Sequence, residues 1–375
     1  MKRFLHLVCL LVLGALLPAA LVISRGLPAD TRPFVEQKYA GWNGVLRAWV
    51  CVDWECAGSF TRWLNNCAAR FEKEHDGVYI EFTPVRNETL RKITESGIRP
   101  PEMIFFSPGT FEDLSVFKTI DTPDGLRDDL RSICGKYYPI AMGGYIQVYN
   151  RALTDGATHA SLALPADDAS HSFSAAAVAL LSDTSDDNTP SDGVLPDAGL
   201  DLGLPASAPT EETLIISDDV VDRFILGEIP CAVVSQGELA RLIRLRDAGR
   251  GPDWNCVATG AVAYTDQLLM LGVVTQSGDA AEEREVLAEA FATGLLQYEA
   301  QAKLADIGAF SVTGERIYSD FSAYAQLDAL LNGRELIPLG NSLRSPASCV
   351  DLLRARFTGS LDADSALAQL RLAQQ

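Results

Sequence analysis

The sequence predicts an α/β protein with a parallel sheet and more than one domain. Three observations carry that prediction. Strand and helix patterns alternate from Val45 to Phe106. The 375 residues are more than a single core usually serves. A hydrophobic fraction of 47% beside a charged fraction of 22% is a globular composition.

The first residues stand apart from the fold. Met1-Lys2-Arg3 precedes an apolar run from Phe4 to Ile23. Basic residues before such a run mark a secretory signal, and 20 apolar residues also suffice to span a bilayer. Residues 1–24 therefore read as a signal peptide or a retained membrane anchor, with the bulk of the chain exported. Residues 25–41 read as a polar tether without periodicity.

Order begins at Trp42. Val45–Val52 is rich in β-formers and predicts a strand. From Ser59 to His75, Phe60, Trp63, Leu64, Cys67, Ala68 and Phe71 recur at helical spacing, so one face of a helix is apolar. Asp76-Gly77 ends it. Val78–Val85 is a second strand, Glu88–Glu95 a short helix, and Glu102–Phe106 a third strand stopped by Ser107-Pro108-Gly109. This rhythm implies parallel strands joined by right-handed crossovers. Tyr145–Asn150 reads as another strand.

The composition then changes. From Ala152 to Asp222 there is no Lys or Arg, and 155–212 holds 11 acidic residues among many Ala, Ser, Gly and Pro. This tract reads as an acidic, solvated insertion at about 155–213. Beyond it, Ser217 is expected to cap a helix with Asp218 and Asp219 in its first turn. Ile229–Val234 is a strand, and Ser235-Gln236-Gly237-Glu238 is a capping box opening the next helix. Leu268–Val274 is a strand. Ala281–Ala305 predicts one long helix with Val286, Leu287, Ala290, Phe291, Gly294 and Leu295 on its apolar face. Further helices are expected at Phe321–Leu331, Pro346–Phe357 and Ala363–Leu372.

Charge and cysteines narrow the function classes. Lys and Arg number 31 against 50 Asp and Glu, a formal charge of −19, which argues against binding nucleic acid or an anionic membrane. Seven of the eight cysteines lie outside the leading segment, and an odd set is unusual for a disulfide-stapled exported protein. Pairing of one or two disulfides stays open. Cys51 and Cys56 are spaced C-x4-C without a second ligand pair, a weak metal signal. Cys67 and Cys231 read as core residues. No nucleophile elbow, phosphate loop, dinucleotide fingerprint or HExxH motif is present, and no metal or cofactor is expected.

Four stretches, in order, resemble the family 1 extracellular solute-binding proteins of ABC importers, the maltose-binding-protein-like group. They are Ala68–Val78, Pro100–Phe111, Tyr138–Asn150 and Phe224–Ala232. Together they cover about residues 42–150 and 214–345. Glu102 stands where the family usually has Asp, and the acidic tract stands where a further family segment would follow Asn150–Leu153.

The resemblance implies a two-lobe periplasmic-binding-protein-like (type II) fold with hinge strands and a ligand cleft between the lobes. It implies an N-terminal lobe of 42–145 plus 264–310 and a C-terminal lobe of 146–263 plus 311–375. Ligands in such a cleft sit at strand carboxyl ends and helix starts. On that logic the ligand-binding candidates are Trp54 and Glu55 after the first strand, and Ser107, Thr110 and Phe111 after the third. Tyr145 lies at the crossing, and Gln236 and Glu238 open a helix. Trp254 follows a turn, Tyr264 and Asp266 precede the returning strand, and Phe310 completes the set. Aromatic faces hold sugar rings, and polar groups bond their hydroxyls.

The function so implied is capture of a carbohydrate by lobe closure and its delivery to the permease subunits of an ABC importer, without catalysis. The solute is expected to be a mono- or oligosaccharide and the protein a monomer at the outer face of the membrane or in the periplasm. Two alternatives stand beside it: a ligand sensor or degenerate binding protein of the same fold, and a secreted glycan hydrolase.

Overall fold

The fold was analysed in a computed structural model. The structure describes residues 41–52, 54, 56–86, 89–90, 100–108, 110–111, 113–131, 134–154, 162–165, 214–217, 219–257, 262–265, 267–318, 324–325, 328, 335–338, 360–361 and 365. The leading segment and tether, Glu55, Asp266, most of the acidic tract and the two last expected helices lie outside the described residues. Among the described residues, no helix is long and apolar enough to cross a membrane.

Two five-stranded sheets organise the chain. The first comprises β1 (Gly44–Val50), β2 (Val78–Pro84), β3 (Met103–Phe106), β4 (Tyr138–Met142) and a late strand, Leu268–Val273, in the order β2-β1-β3-late-β4. The second comprises β5 (Tyr145–Asn150), β6 (Leu162–Pro165), β7 (Leu214–Ser217), β8 (Cys231–Ser235) and β9 (Trp254–Val257), in the order β7-β6-β8-β5-β9. A two-stranded sheet pairs β10 (Val262–Thr265) with Glu335–Pro338 and belongs to neither. The late strand of the first sheet is β11, and Glu335–Pro338 is β12.

Both sheets repeat one plan. β1 is parallel to β2 and β3, and β11 is antiparallel to β3 and β4. Likewise β6 is parallel to β7 and β8, and β5 is antiparallel to β8 and β9. Each sheet thus takes one antiparallel strand from across the molecule. The chain leaves the first sheet at Met142, crosses through Gly143-Gly144, builds the second, and returns as β11. The chain has the expected two-lobe α/β fold.

Local sequence explains most elements. Helix α1 (Phe60–Glu74) buries the six predicted apolar residues, and the Ser59 hydroxyl caps it by accepting from Arg62 N at 3.3 Å. At its end the His75 ring stacks on Phe71, centroids 3.9 Å apart, and Gly77 turns the chain at φ +86°. Helix α2 (Val220–Ile225) differs from expectation: Ser217 ends β7, and Asp219 is the N-cap without a side-chain cap bond. Sheet pairing with β6 takes the Leu-Ile-Ile-Ser quartet before a helix can use its serine. Helix α3 (Gln236–Asp247) has the complete predicted capping box.

Two further expectations are corrected. The acidic tract contains β6, a central strand whose Ala163 is fully buried, so 155–213 is not wholly an insertion. Helix α4 (Ala281–Leu295) stops ten residues short of expectation and is followed by a helical turn, Tyr298–Gln301, and a 3-10 helix, Ala302–Ile307. Its buried face is Arg284, Ala288, Phe291, Ala292 and Leu295, while Val286 is 54% exposed. The helix is rotated from the apolar stripe because Arg284 has a buried partner.

That partner is Glu102, itself 2% exposed. Its carboxylate accepts from Arg284 Nη1 at 2.9 Å and from the Arg47 backbone N at 2.8 Å. Breaking a buried ion pair on one side costs roughly 3–5 kcal/mol, because the remaining charge stays desolvated. Glu102→Ala should therefore lower unfolding stability by about that amount, read by urea titration of tryptophan fluorescence. A loss below about 1 kcal/mol, the range of an exposed pair, would show that the pair is not what holds this lobe.

Candidate functional site

The carboxyl edges of the two sheets face each other across Gly143-Gly144. In the first sheet, β1, β3 and β4 run together and end at Val50, Phe106 and Met142. In the second, β5 starts at Tyr145 opposite Ser235, the last residue of β8. Gln236 N, at the start of α3, donates to Gly144 O at 2.8 Å, and Gly143 N donates to Gln267 O at 2.6 Å. The outgoing and returning segments are thus paired at the crossing. The crossing is closely packed: a Cβ on Gly143 would displace the end of the Gln267 side chain and lie 3.0 Å from Gln236 Cγ and Gln267 Cβ.

The loop after β1 reaches this junction from the first lobe. It is held at its start by Cys51 N to Phe105 O, 2.9 Å, and at its end by Gly58 N to Ile307 O, 3.0 Å. Between these anchors the Gln236 amide nitrogen lies 3.7 Å from Cys56 Sγ, a contact between the lobes. Tyr324, in the same lobe as Gln236 by the expected bounds, donates its hydroxyl to Gln236 O at 3.4 Å. Tyr324 stacks on Tyr318 at 5.4 Å, and Tyr318 donates to Ala309 O at 2.8 Å.

Of the sequence candidates, Tyr145, Gln236 and Phe310 lie at the crossing, and Trp54 lies in the loop after β1, two residues before Cys56. Trp54 is 5% exposed and packs edge-on against Phe60, centroids 4.8 Å apart. Tyr145 is buried at the start of β5. Phe310 is fully buried and pairs by its backbone with Met142, so it supports the crossing as core. Ser107, Thr110 and Phe111 share the same edge after β3. The Thr110 hydroxyl donates to Ser107 O at 2.8 Å, which closes a turn, and Phe111 packs edge-on against Phe106 and Phe117.

Other candidates fall elsewhere. The Glu238 carboxylate accepts from Ser235 N at 2.7 Å and serves the capping box. Trp254 opens β9 opposite Asn150, five residues along β5 from Tyr145, or about 17 Å from the crossing. It lies at the outer end of its lobe, buried, with the Arg246 guanidinium 4.8 Å from its ring. Its role there is packing. Tyr264 lies in β10, its side chain outside the description, and Glu55 and Asp266 lie outside the described residues.

Sequence reasoning missed Cys56, Gln267, Tyr318 and Tyr324 as members of the junction. Only the C-x4-C spacing drew attention to Cys56, and for a metal. Among the described residues, no group of three or more acidic, His or Cys side chains could hold a metal ion. Among the described residues, Cys56, Cys67, Cys134 and Cys231 are free thiols.

Burial sets the electrostatics. It pushes the Cys56 thiol up to about 12, against a smaller lowering by the Gln236 hydrogen bond. It pushes Tyr324 up to about 12, with the Cys56 sulfur adding to the shift, and raises Tyr318 in the same way. Thiol and phenols are therefore neutral across the physiological range. They suit hydrogen bonding to a neutral ligand more than proton transfer or nucleophilic attack. A separate groove of about 400 Å³ runs between α1 and the 3-10 helix. Its cations Arg62, Arg70 and Lys303 are interspersed with Glu299 and Asp306.

No protein-family model and no curated protein matches the chain. Solved structures do. An uncharacterized protein of Listeria monocytogenes matches with a TM-score of 0.59 at 13% identity, over 88% of this chain and 98% of its own. The maltodextrin-binding protein MalE1 of L. casei matches at 0.55 and 13%, over 89% and 98%. The GacH receptor of Streptomyces glaucescens, solved unliganded and with acarbose, matches at 0.53 and 14%, over 88% and 97%. At such identities the likeness shows the fold, that of the type II periplasmic-binding proteins.

The raised thiol gives a direct check. With its pKa near 12, only about one Cys56 in ten thousand is thiolate at pH 8. Iodoacetamide should therefore label Cys56 slowly at pH 8 in the folded protein and rapidly in urea, read by peptide mass spectrometry. Fast labelling of the folded chain would show a thiol more open and more acidic than this junction allows.

Proposed function

We propose that this protein captures a carbohydrate between its two lobes and delivers it to an ABC importer, without transforming it. The carrying observation is the meeting of both carboxyl edges across Gly143-Gly144, with aromatic rings and neutral hydrogen-bonding groups around it. Neutral hydroxyl-rich ligands are bound by just such groups: amides and phenols for the hydroxyls, aromatic faces for the ring carbons. The fold neighbours include proteins whose ligands are maltodextrin and acarbose, which favours the same ligand class here.

The mechanism is hinge closure. The lobes, taken as 42–145 plus 264–310 and 146–263 plus 311–375, rotate about the paired segments at Gly143-Gly144 and Gln267. Closure brings Gln236 on the second lobe against the β1 loop on the first and removes the ligand from water. The closed form is what the permease would recognise. On this reading the leading segment directs export and, if retained, tethers the protein outside the membrane. The neutral thiol and phenols of the junction favour capture over hydrolysis, which needs a pair of carboxyl groups in separate protonation states.

A thermal-shift screen of residues 25–375 against mono- and oligosaccharides, with amino acids and peptides as controls, tests the reading. A ligand at 100 times its Kd adds about 2.7 kcal/mol of stability. The expected result is stabilisation by a saccharide alone, with a smaller radius of gyration in solution scattering. Stabilisation by amino acids or peptides alone would overturn the carbohydrate assignment. Turnover of a bound glycan would overturn the non-catalytic one.

A further inference from the structure

We infer that the indole N–H of Trp54 is kept for an oxygen acceptor on the ligand, so that Trp54 reads one hydroxyl or ring oxygen of the captured solute. The inference rests on the carbohydrate-capture reading. Its basis is a contrast between two buried tryptophans of the first lobe. Trp63, 3% exposed, donates its Nε1–H to Ala300 O at 3.1 Å. Trp54, 5% exposed, has its Nε1 buried without a hydrogen-bond partner among the described residues. Buried donors are paired in folded proteins almost without exception, and one that is not carries a standing penalty. This fold satisfies the indole of Trp63 in the core and leaves that of Trp54, in the loop after β1, unsatisfied among the described residues.

The position of Trp54 gives that donor a use. The β1 loop is pinned at Cys51 and Gly58, and two residues beyond Trp54 it touches the second lobe through Cys56 and Gln236. Phe60 packs edge-on against the ring at an interplanar angle of 83°, and the residue is 5% exposed. An indole nitrogen only donates, so its partner must be an acceptor. A sugar hydroxyl or ether oxygen entering between the lobes supplies one and needs no compensating charge.

The test uses the purified chain and the saccharide selected by the thermal screen. The protein has five tryptophans and so five indole N–H resonances, and the Trp54→Phe variant identifies the one from Trp54. On saturation with the sugar, that resonance is expected to move downfield and its hydrogen exchange to slow. Trp54→Phe should bind the sugar about 3- to 10-fold more weakly, the worth of one neutral hydrogen bond. In a set of monodeoxy analogues, one position should cost the wild type that same factor and cost the variant nothing. The variant's packing loss cannot mimic this pattern, since it would weaken all analogues alike.

Equal binding by both proteins with an unmoved indole resonance would overturn the inference and leave sugar capture standing. So would uniform weakening across the deoxy series, which marks a packing role. Failure of every saccharide to bind the wild type would remove both.

Discussion

The Glu102 carboxylate is the contact on which the first lobe depends. Its lobe is discontinuous: β1, β3 and β4 come from one stretch of chain, and β11 arrives more than 120 residues later. Glu102 sits where these pieces meet. Its backbone N donates to Arg47 O in β1, and its carbonyl accepts from Val274 N at the end of β11, both at 3.0 Å. Its side chain then takes the Arg47 backbone N and Arg284 of α4. Arg284 reaches on to Gln276 Oε1, Ser277 O and Ala280 O. One buried charge pair thus fixes the returning strand, the turn after it and the helix that covers it. An apolar pair of similar volume can match its stability, but it would not specify which strand lies where.

A second buried polar centre carries that rigidity to the crossing. Gln301, fully buried, donates to Ile140 O at 2.9 Å and Leu295 O at 2.8 Å, and accepts from Ser311 Oγ and Val312 N. It therefore holds β4 and the segment around Phe310 in one register. Phe310 and Met142 exchange backbone hydrogen bonds immediately before Gly143. Everything up to Met142 is locked to a core, and the next two residues are glycines. On the proposed reading this confines the bending to the crossing, because the lobes on either side resist deformation and the link between them lacks side chains.

Much of this fold was legible because local patterns and tertiary packing agree. The apolar face of α1 and the Ser235–Glu238 capping box follow from spacing alone. The failures share a cause: each was decided by a distant partner. Val286 reads as core in the sequence but is exposed, while Arg284 is buried on Glu102, 182 residues away. β6 is four residues of an acidic, alanine- and serine-rich tract, and only β7 and β8 on either side make it a strand. Trp254 has the chemistry of a sugar platform, but its edge of the sheet depends on antiparallel pairing with β5, which no local pattern reveals. Trp54 follows a strand that runs toward the junction, and that direction is shared by its parallel neighbours.

The junction also resolves an oddity of composition. A chain with a formal charge of −19 has ample carboxylates to fill a binding site, yet among the described junction residues Cys56, Gln236, Gln267, Tyr318 and Tyr324 are neutral, with the buried Asp328 near Tyr318 beside them. Water screens the charges of an acidic surface, whereas a carboxylate enclosed between closing lobes would need a partner or a proton. Neutral donors and acceptors escape that demand. They exchange hydrogen bonds with water for hydrogen bonds with a ligand, at a net gain of about 1 kcal/mol each. On the proposed reading, closure depends on shape and on how many such bonds a solute completes. That favours ligands carrying many hydroxyls over small, charged ones.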